Sequence, residues 1–302
     1  MTDIRTEEIL KNYTTMRCGG PAAGFAEPSS EEEIIELLAY ADSNNMKTLI
    51  LGAGSNMLVS DRGFDGLVIR IGKKFGDLEF SEEDEDGYIT VTAKAGCSLA
   101  WFGNMCARKG LEGAEFCCGI PGNVGGGVFM NAGAYGREIK DIAVSVDYIE
   151  DGAVRTADAS ECGFGYRTSL FEKKAKEKDI VITSFKARLH KGDKEQIDAY
   201  VAELRGKRTA SQPLDVPSAG STFKRPEGYY AGALIEKSGL KGFALDDSGA
   251  QVSPKHAGFV VNNGGRANGS DVMRLIRHIQ DKVYADSGVR LETEVRLVGD
   301  FD

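Results

Sequence analysis

The chain has 302 residues, a net charge of -9 and an isoelectric point near 5.1. With 41% hydrophobic and 27% charged residues it reads as a globular chain of two or three domains, not a disordered one. The acidic balance disfavours nucleic-acid binding, no apolar run approaches the roughly 18 residues of a membrane span, and the polar start, MTDIRTEEILKNY, lacks the apolar core of a secretion signal, so a cytoplasmic location is expected.

The spacing predicts a helix over residues 30–45. Ser30 caps it, Glu33 completes a capping box, and Ile34, Leu37, Leu38 and Ala41 form its apolar stripe. Lys47 to Leu51 is a short strand, followed by the loop Gly52-Ala53-Gly54-Ser55-Asn56 and a strand from Gly66 to Ile71. The acidic run Ser81 to Asp86 reads as a solvated loop tip. Tyr88 to Ala95 alternates like a strand, and Ser98 to Arg108 is a helix ended by Gly110. The glycine-dense stretch Gly119 to Gly136 argues against regular structure. Val144–Glu150 and Ala153–Ala157 flank an Asp151-Gly152 turn and predict a hairpin. Further on come a strand over 179–189 and an amphipathic helix over 193–208, with Ile197, Val201 and Leu204 on one side. Pro213 and Pro217 then place a domain boundary near 190–215. Helices follow over 229–238 and 270–286, and a final strand over 290–298 alternates Leu291, Thr293, Val295 and Leu297 against Glu292, Glu294 and Arg296.

Six cysteines and three histidines show no metal-ligand spacing, so no metal is expected. Without an export signal the cysteines read as buried thiols. The 38 glycines are far above the usual share of about 7% and are not periodic. Glycine loops after strands can gather bare N–H groups around phosphate. The first loop is no Rossmann fingerprint, because Met57 stands where a third glycine is needed, and no Walker lysine follows either loop. The residues alone leave two readings open: a long pyrophosphate ligand such as FAD, or tight turns packed against helices.

Six stretches in order carry a resemblance. They are the loop from Gly52 to Asp61, the loop from Gly119 to Gly136, Gly165-Tyr166-Arg167-Thr168-Ser169, Pro217 to Pro226 with Gly220-Ser221-Thr222-Phe223, Gln251 to Phe259, and Leu291-Glu292-Thr293-Glu294-Val295. Together they span nearly the whole chain and resemble the MurB family, the UDP-N-acetylenolpyruvoylglucosamine reductases. The spacing resembles the shorter, type II-like form, with a single short helix between the arginine and serine stretches.

The resemblance implies an α+β architecture: a vanillyl-alcohol-oxidase (PCMH) type FAD-binding fold of two subdomains, plus a C-terminal α+β substrate-binding domain. Residues 1–72 form the first subdomain, joined by the last strand over 290–302. Residues 73–190 form the second, and 191–289 the C-terminal domain. Non-covalent FAD is held by Gly52, Ala53, Gly54, Ser55 and Asn56, and by Gly119, Pro121, Gly122, Asn123, Gly125 and Gly126. No histidine lies in these loops for a covalent link; Cys117 and Cys118 are the thiols beside one of them.

The implied reaction is NADPH-dependent reduction of UDP-N-acetylglucosamine enolpyruvate to UDP-N-acetylmuramate, a step of peptidoglycan precursor synthesis and so of cell-wall biogenesis, cell shape and division. Arg167, a permanent and forked cation, suits the substrate carboxylate. Ser221 is the implied proton donor to C2, a task open to a hydroxyl when the acceptor is strongly basic and the donor prepositioned. Glu294 is the third catalytic residue. Tyr135, Lys224, Gln251 and Lys255 are the candidates for the nucleotide-sugar or nicotinamide phosphates. A monomer without nucleic-acid or membrane partners is expected. Departures from the family pattern are Met57, Asn123, Gly127 and the stretch Ala244 to Gly249, which adds Asp246 and Asp247. The competing readings are another PCMH-type FAD oxidoreductase and a flavin or nucleotide-sugar binding module without catalysis.

Overall fold

Local capping and tertiary pairing together explain where the elements start and stop in the computed structural model, which describes residues 2–301. The chain divides into two units, one of residues 1–4, 25–52 and 66–208 and one of residues 5–24, 53–65 and 209–302.

In the first unit the helix Glu31–Ser43 starts where Ser30 Oγ accepts from the Glu33 N–H at 3.2 Å. The reciprocal half of the expected capping box is displaced by one residue: Glu33 Oε2 accepts from Ser29 N–H at 2.6 Å. Ile34, Leu37 and Ala41 bury its inner stripe. Lys47–Leu51 pairs in parallel with Phe64–Arg70, from Lys47 against Gly66 to Leu51 against Arg70.

The larger sheet is antiparallel. Its order is Ala153–Asp158, Ala143–Glu150, Ile180–Lys191, Tyr88–Lys94 and Leu78–Glu83, with Leu111–Glu112 also paired to Ile180–Lys191. The outer strand Leu78–Glu83 takes in the first half of the acidic run expected to be only a loop tip. Ser81, Glu82 and Glu83 are all exposed, and after a bulge only Glu83 of the run pairs, with Ile89. The Asp151-Gly152 turn has φ of 52° and 72°, the primed geometry that matches strand twist.

The glycine stretch contains regular structure after all. Val124–Phe129, with three consecutive glycines, is a helix lying against Ile180–Lys191 and Tyr88–Lys94. Its glycines permit that approach: a Cβ on Gly125 would stand 2.9 Å from Ala95 Cβ, and one on Gly127 2.9 Å from Leu99 Cδ2. Tertiary contact here overrides glycine's poor helix propensity. Two helices, Leu170–Lys174 and Lys194–Ser211, lie between the arginine and serine stretches, rather than one. The second starts at Asp193, whose Oδ1 accepts from Glu195 and Gln196 N–H at 2.9 and 3.1 Å. Ile197 and Val201 pack on Ala107, which joins this helix up to Arg208 to the first unit, where the sequence reading had put it in the C-terminal part.

The second unit is built around the helix Gly269–Ser287. Asn268 and Asp271 form its capping box, and Gly288, at φ 73°, ends it. Val272, Leu275, Ile276, Ile279 and Val283 face a core with Leu58, Val252, Val260, Leu291 and Val295. A hairpin of Ala250–Val252 and Val260–Asn262 packs on this helix, as does Ala231–Lys237. The final strand is shorter than the alternation predicts. Only Arg296–Val298 pairs, in parallel with Met57–Val59, and Leu297 faces outward while Val298 is buried. Residues 292–295 are instead held by backbone pairing with the serine segment, Lys224 N–H donating to Glu292 O and the N–H groups of Glu294 and Val295 to Thr222 O. The parallel pairing groups residues 53–65 and the terminal segment in one unit.

Candidate active site

Arg167 sits in the first unit on a tight turn. Gly165 N–H donates to Thr168 O at 3.0 Å, and Thr168 N–H returns to Gly165 O at 3.3 Å. Arg167 occupies the third position with φ 54°, a region that costs a side-chain-bearing residue about 1 kcal/mol and usually takes glycine. Such strain, held by surrounding bonds, is a mark of functional turns. Ser169 fixes one side of the turn: its hydroxyl donates to Phe129 O at 2.6 Å and accepts from Glu172 N–H at 3.2 Å. The guanidinium Nη2 donates to Gly133 O at 3.3 Å, and the group lies 5.4 Å from the Tyr166 ring centroid.

The glycine loop of the same unit leaves backbone uncovered. A Cβ on Gly126 would meet nothing within 4 Å, and Gly122 has φ 127°. Asn123 stands at the helix start without giving it a side-chain cap; its Nδ2 donates to Ile71 O at 2.8 Å. Gly52 adjoins it, a Cβ there lying 3.6 Å from Asn123 Cβ. Arg208 was missed in the sequence. Its side chain packs so tightly on Gly119 that a Cβ there would be 2.9 Å from Arg208 Cδ. Burial pulls its pKa below the usual arginine range, and among the described residues no carboxylate forms a salt bridge with it. A half-buried cation with no internal counter-charge suits an anionic ligand. The basic run Arg205-Gly206-Lys207-Arg208 at the end of an amphipathic helix was the available signal. Open glycine backbone and one guanidinium form a donor set suited to pyrophosphate, so these residues fit FAD.

The thiols beside this loop are unreactive. Burial holds Cys117 well above the ordinary thiol range and pushes Cys118 up to about 11, so both stay protonated near neutrality. All six cysteines are free.

The segments that carry Ser221 and Glu294 pair through their backbones in the second unit. Pro217 O accepts from Asn262 N–H at 2.8 Å, and Ser218 O accepts from Thr15 Oγ1 at 2.6 Å. On the other side Thr222 is bound through all three of its polar groups. Its N–H donates to Gly258 O at 2.9 Å, its Oγ1 accepts from Val260 N–H at 3.0 Å, and its carbonyl accepts from Glu294 N–H at 2.9 Å. Ser221 projects from this pinned segment. It is exposed, follows Gly220 at φ 78°, and among the described residues its hydroxyl has no hydrogen-bond partner. Asn56, from the first glycine loop, donates through Nδ2 to Glu294 O at 3.1 Å and accepts from Arg296 N–H at 3.0 Å. Glu292, the neighbouring acid, is exposed and pairs with Lys224 at 3.3 Å. Both acids share a backbone bond with the serine segment, Glu292 O accepting from Lys224 N–H at 2.9 Å, but the Glu292 side chain is exposed whereas Glu294 is half-buried.

The candidate nucleotide-sugar residues have local partners. Tyr135, at φ 56°, donates its hydroxyl to Leu204 O at 3.1 Å. Lys255 Nζ donates to Thr209 O at 2.5 Å, and Gln251 binds Gly242 O and Asn263 Nδ2 at 3.0 and 2.8 Å. Asp246, the unusual acid of the 244–249 stretch, pairs with Arg274 at 2.8 Å. Bonds from Ser248 and then Arg274 hold its pKa at about 2. Among the described residues no group of three histidine, cysteine or acidic side chains could hold a metal, and no helix is long and apolar enough to cross a membrane.

Comparison with known proteins matches these features. Residues 22–158 match the family described as FAD binding domain, and 212–298 the one described as UDP-N-acetylenolpyruvoylglucosamine reductase, C-terminal domain. The chain is 45% identical to UDP-N-acetylenolpyruvoylglucosamine reductase of Agathobacter rectalis, covering 98% of this chain and 94% of that one. It is 40% identical to the enzyme of that name from Clostridioides difficile, covering 99% and 94%. The crystal structure of UDP-N-acetylenolpyruvylglucosamine reductase (MurB) from Thermus caldophilus superposes with a TM-score of 0.82 at 33% identity, covering 99% of this chain and all of that one. Likeness at this level over the full length, in sequence and in fold, is decisive: the chain belongs to the UDP-N-acetylenolpyruvoylglucosamine reductase family.

Proposed function

We propose that this protein reduces the enolpyruvyl group of UDP-N-acetylglucosamine enolpyruvate to give UDP-N-acetylmuramate, as an FAD-dependent NADPH oxidoreductase of peptidoglycan synthesis. One observation supports the assignment above the others: Glu294 is bonded through its N–H to the serine segment and through its carbonyl to Asn56 of the first glycine loop. When bound, FAD takes a hydride from NADPH and supplies it to C3 of the enolpyruvyl group.

The chain's own residues handle charge and proton. Arg167 holds the substrate carboxylate and stabilises the negative charge that spreads into it from C2. Ser221 gives its hydroxyl proton to C2; an exposed hydroxyl on a segment tethered at both ends is prepositioned for this. Glu294 supports proton delivery at the same carbon. The backbone of 52–56 and of Gly119, Pro121, Gly122, Asn123, Gly125 and Gly126 holds FAD without a covalent bond, and Arg208 adds a cation for a ligand phosphate. Tyr135, Lys224, Gln251 and Lys255 are assigned to the nucleotide-sugar or nicotinamide phosphates. The FAD-binding part has two halves. The protein acts as a cytoplasmic monomer without nucleic-acid partners, in keeping with its charge of -9.

The test is the visible spectrum of the purified protein, followed by anaerobic NADPH oxidation with and without the enolpyruvyl nucleotide sugar. The expected result is a yellow protein whose sustained NADPH oxidation requires that substrate. A colourless protein that FAD cannot reconstitute would remove the assignment.

A further inference from the structure

The turn that carries Arg167 is clasped to a second strained segment. Asn131 is completely buried and has φ 46°, a conformation that asparagine tolerates better than most residues. Every polar atom of its side chain is used. Its Nδ2 donates to Gly165 O at 3.0 Å and to Glu138 Oε2 at 3.0 Å, and its Oδ1 accepts from Lys140 N–H at 3.0 Å. Glu138 is itself fixed, by Lys140 Nζ at 2.7 Å and by a capping box with Asp141. In the opposite direction Arg167 Nη2 donates to Gly133 O at 3.3 Å. Residues 131–133 thus bind the first residue of the Arg167 turn through a side chain, and receive the guanidinium of the third through a backbone carbonyl.

We propose that Asn131 is a positioning residue for Arg167, setting the aim of its guanidinium by holding the Gly165 carbonyl. This rests on Arg167 gripping the substrate carboxylate. Arg167 stays in a left-handed conformation only while its turn is braced, and Asn131 supplies the brace from a site that water does not reach. The amide is the required group. A carboxylate at 131 would still accept from Lys140 N–H, but would face the Gly165 carbonyl and the Glu138 carboxylate with no donor. Without the clasp the turn relaxes and the guanidinium shifts, and a displacement of about 1 Å is enough to cost about 100-fold in rate.

Two variants of the holoenzyme test this. Asn131→Gly removes the side chain and keeps the backbone free to stay at positive φ; Asn131→Asp keeps the shape and removes the donors. In anaerobic stopped-flow experiments both are expected to bind FAD and to be bleached by NADPH within about twofold of the wild-type rate, while reoxidation by the enolpyruvyl substrate slows by about 100-fold. In an Arg167→Ala background Asn131→Gly is expected to change reoxidation by less than about twofold, because the residue it positions is gone. Reoxidation at the wild-type rate in Asn131→Gly, or independent multiplication of the two effects in the double variant, would overturn the proposal. Loss of FAD or of cooperative melting in both variants would do so too, by assigning Asn131 to the fold. Arg167→Ala alone separates the two readings: normal reoxidation in that variant sinks the role of Arg167 itself, whereas slow reoxidation there with a silent Asn131→Gly sinks only the positioning.

Discussion

Replacing Ser221 by alanine separates the fold from the chemistry more cleanly than any other change in this protein. The serine is exposed and its hydroxyl binds nothing among the described residues, while both flanks are held through backbone bonds that alanine leaves intact. A surface substitution of this kind shifts stability by no more than about 0.5 kcal/mol, and FAD should remain bound. If the hydroxyl delivers the proton, its loss removes a general acid worth about 10²–10⁴ in rate. At 1.36 kcal/mol per factor of ten this raises the barrier by about 3–5 kcal/mol. The effect must fall on one half-reaction alone. Anaerobic mixing with NADPH should bleach the flavin at the wild-type rate, and a second mixing with the enolpyruvyl nucleotide sugar should restore colour at least about 100-fold more slowly. Equal slowing of both halves would point to general damage, and undiminished recolouring would remove the serine from the mechanism.

Other perturbations follow from the same geometry. Glu294→Gln should slow flavin reoxidation at least about tenfold, while Glu292→Gln, which breaks only an exposed pair with Lys224 worth about 0–1 kcal/mol, should leave turnover and melting unchanged; equal effects of the two would cancel the assignment. Gly126→Ala meets open space, so the apoprotein should gain about 0.5 kcal/mol of stability from helix propensity, whereas FAD should bind more weakly because the new methyl covers backbone; calorimetry and flavin titration read both, and undiminished FAD affinity refutes the cradle. Glu150 is buried among Lys174, Lys178 and Arg155, and its bonds to Lys174 and then Lys178 lower its pKa to about 2. Because the folded pKa lies below the unfolded value near 4.3, this carboxylate's contribution is complete above that value and disappears as pH falls toward about 2. Glu150→Gln should therefore lower the melting temperature at pH 7 and flatten its dependence on pH across that window; an unchanged acid limb would refute the attribution.

Residues near one another in the chain determined much of this protein. Ser30 and Ser98 cap their helices as read, Lys47–Leu51 is a strand, Asp151-Gly152 makes the hairpin, and Gly288 ends the last long helix. These outcomes depend on bonds and torsions spanning a few residues, so local pattern suffices. The six stretches likewise identified the family, and with it Arg167, Ser221 and Glu294 as the proposed catalytic residues.

Tertiary structure decided what depends on distant neighbours. The three-glycine run is a helix because it packs on the sheet, where Ala95 and Leu99 leave no room for a side chain at Gly125 or Gly127, which composition cannot reveal. The last strand shortens because Thr222 takes the backbone of residues 294–295 before Met57–Val59 takes that of 296–298. Burial separates Glu294 from Glu292, which alternation makes equivalent: Glu292 is exposed and paired with Lys224, whereas Glu294 is half-buried. Arg208 and Asn131 emerged only from packing: among the described residues one is a cation without a salt-bridged carboxylate, the other an amide with every bond satisfied, and neither state is written in the residue's own sequence neighbourhood. A side chain's charge and hydrogen-bonding capacity are local properties, but whether they are spent inside the protein or left for a ligand is set by what the fold brings beside them.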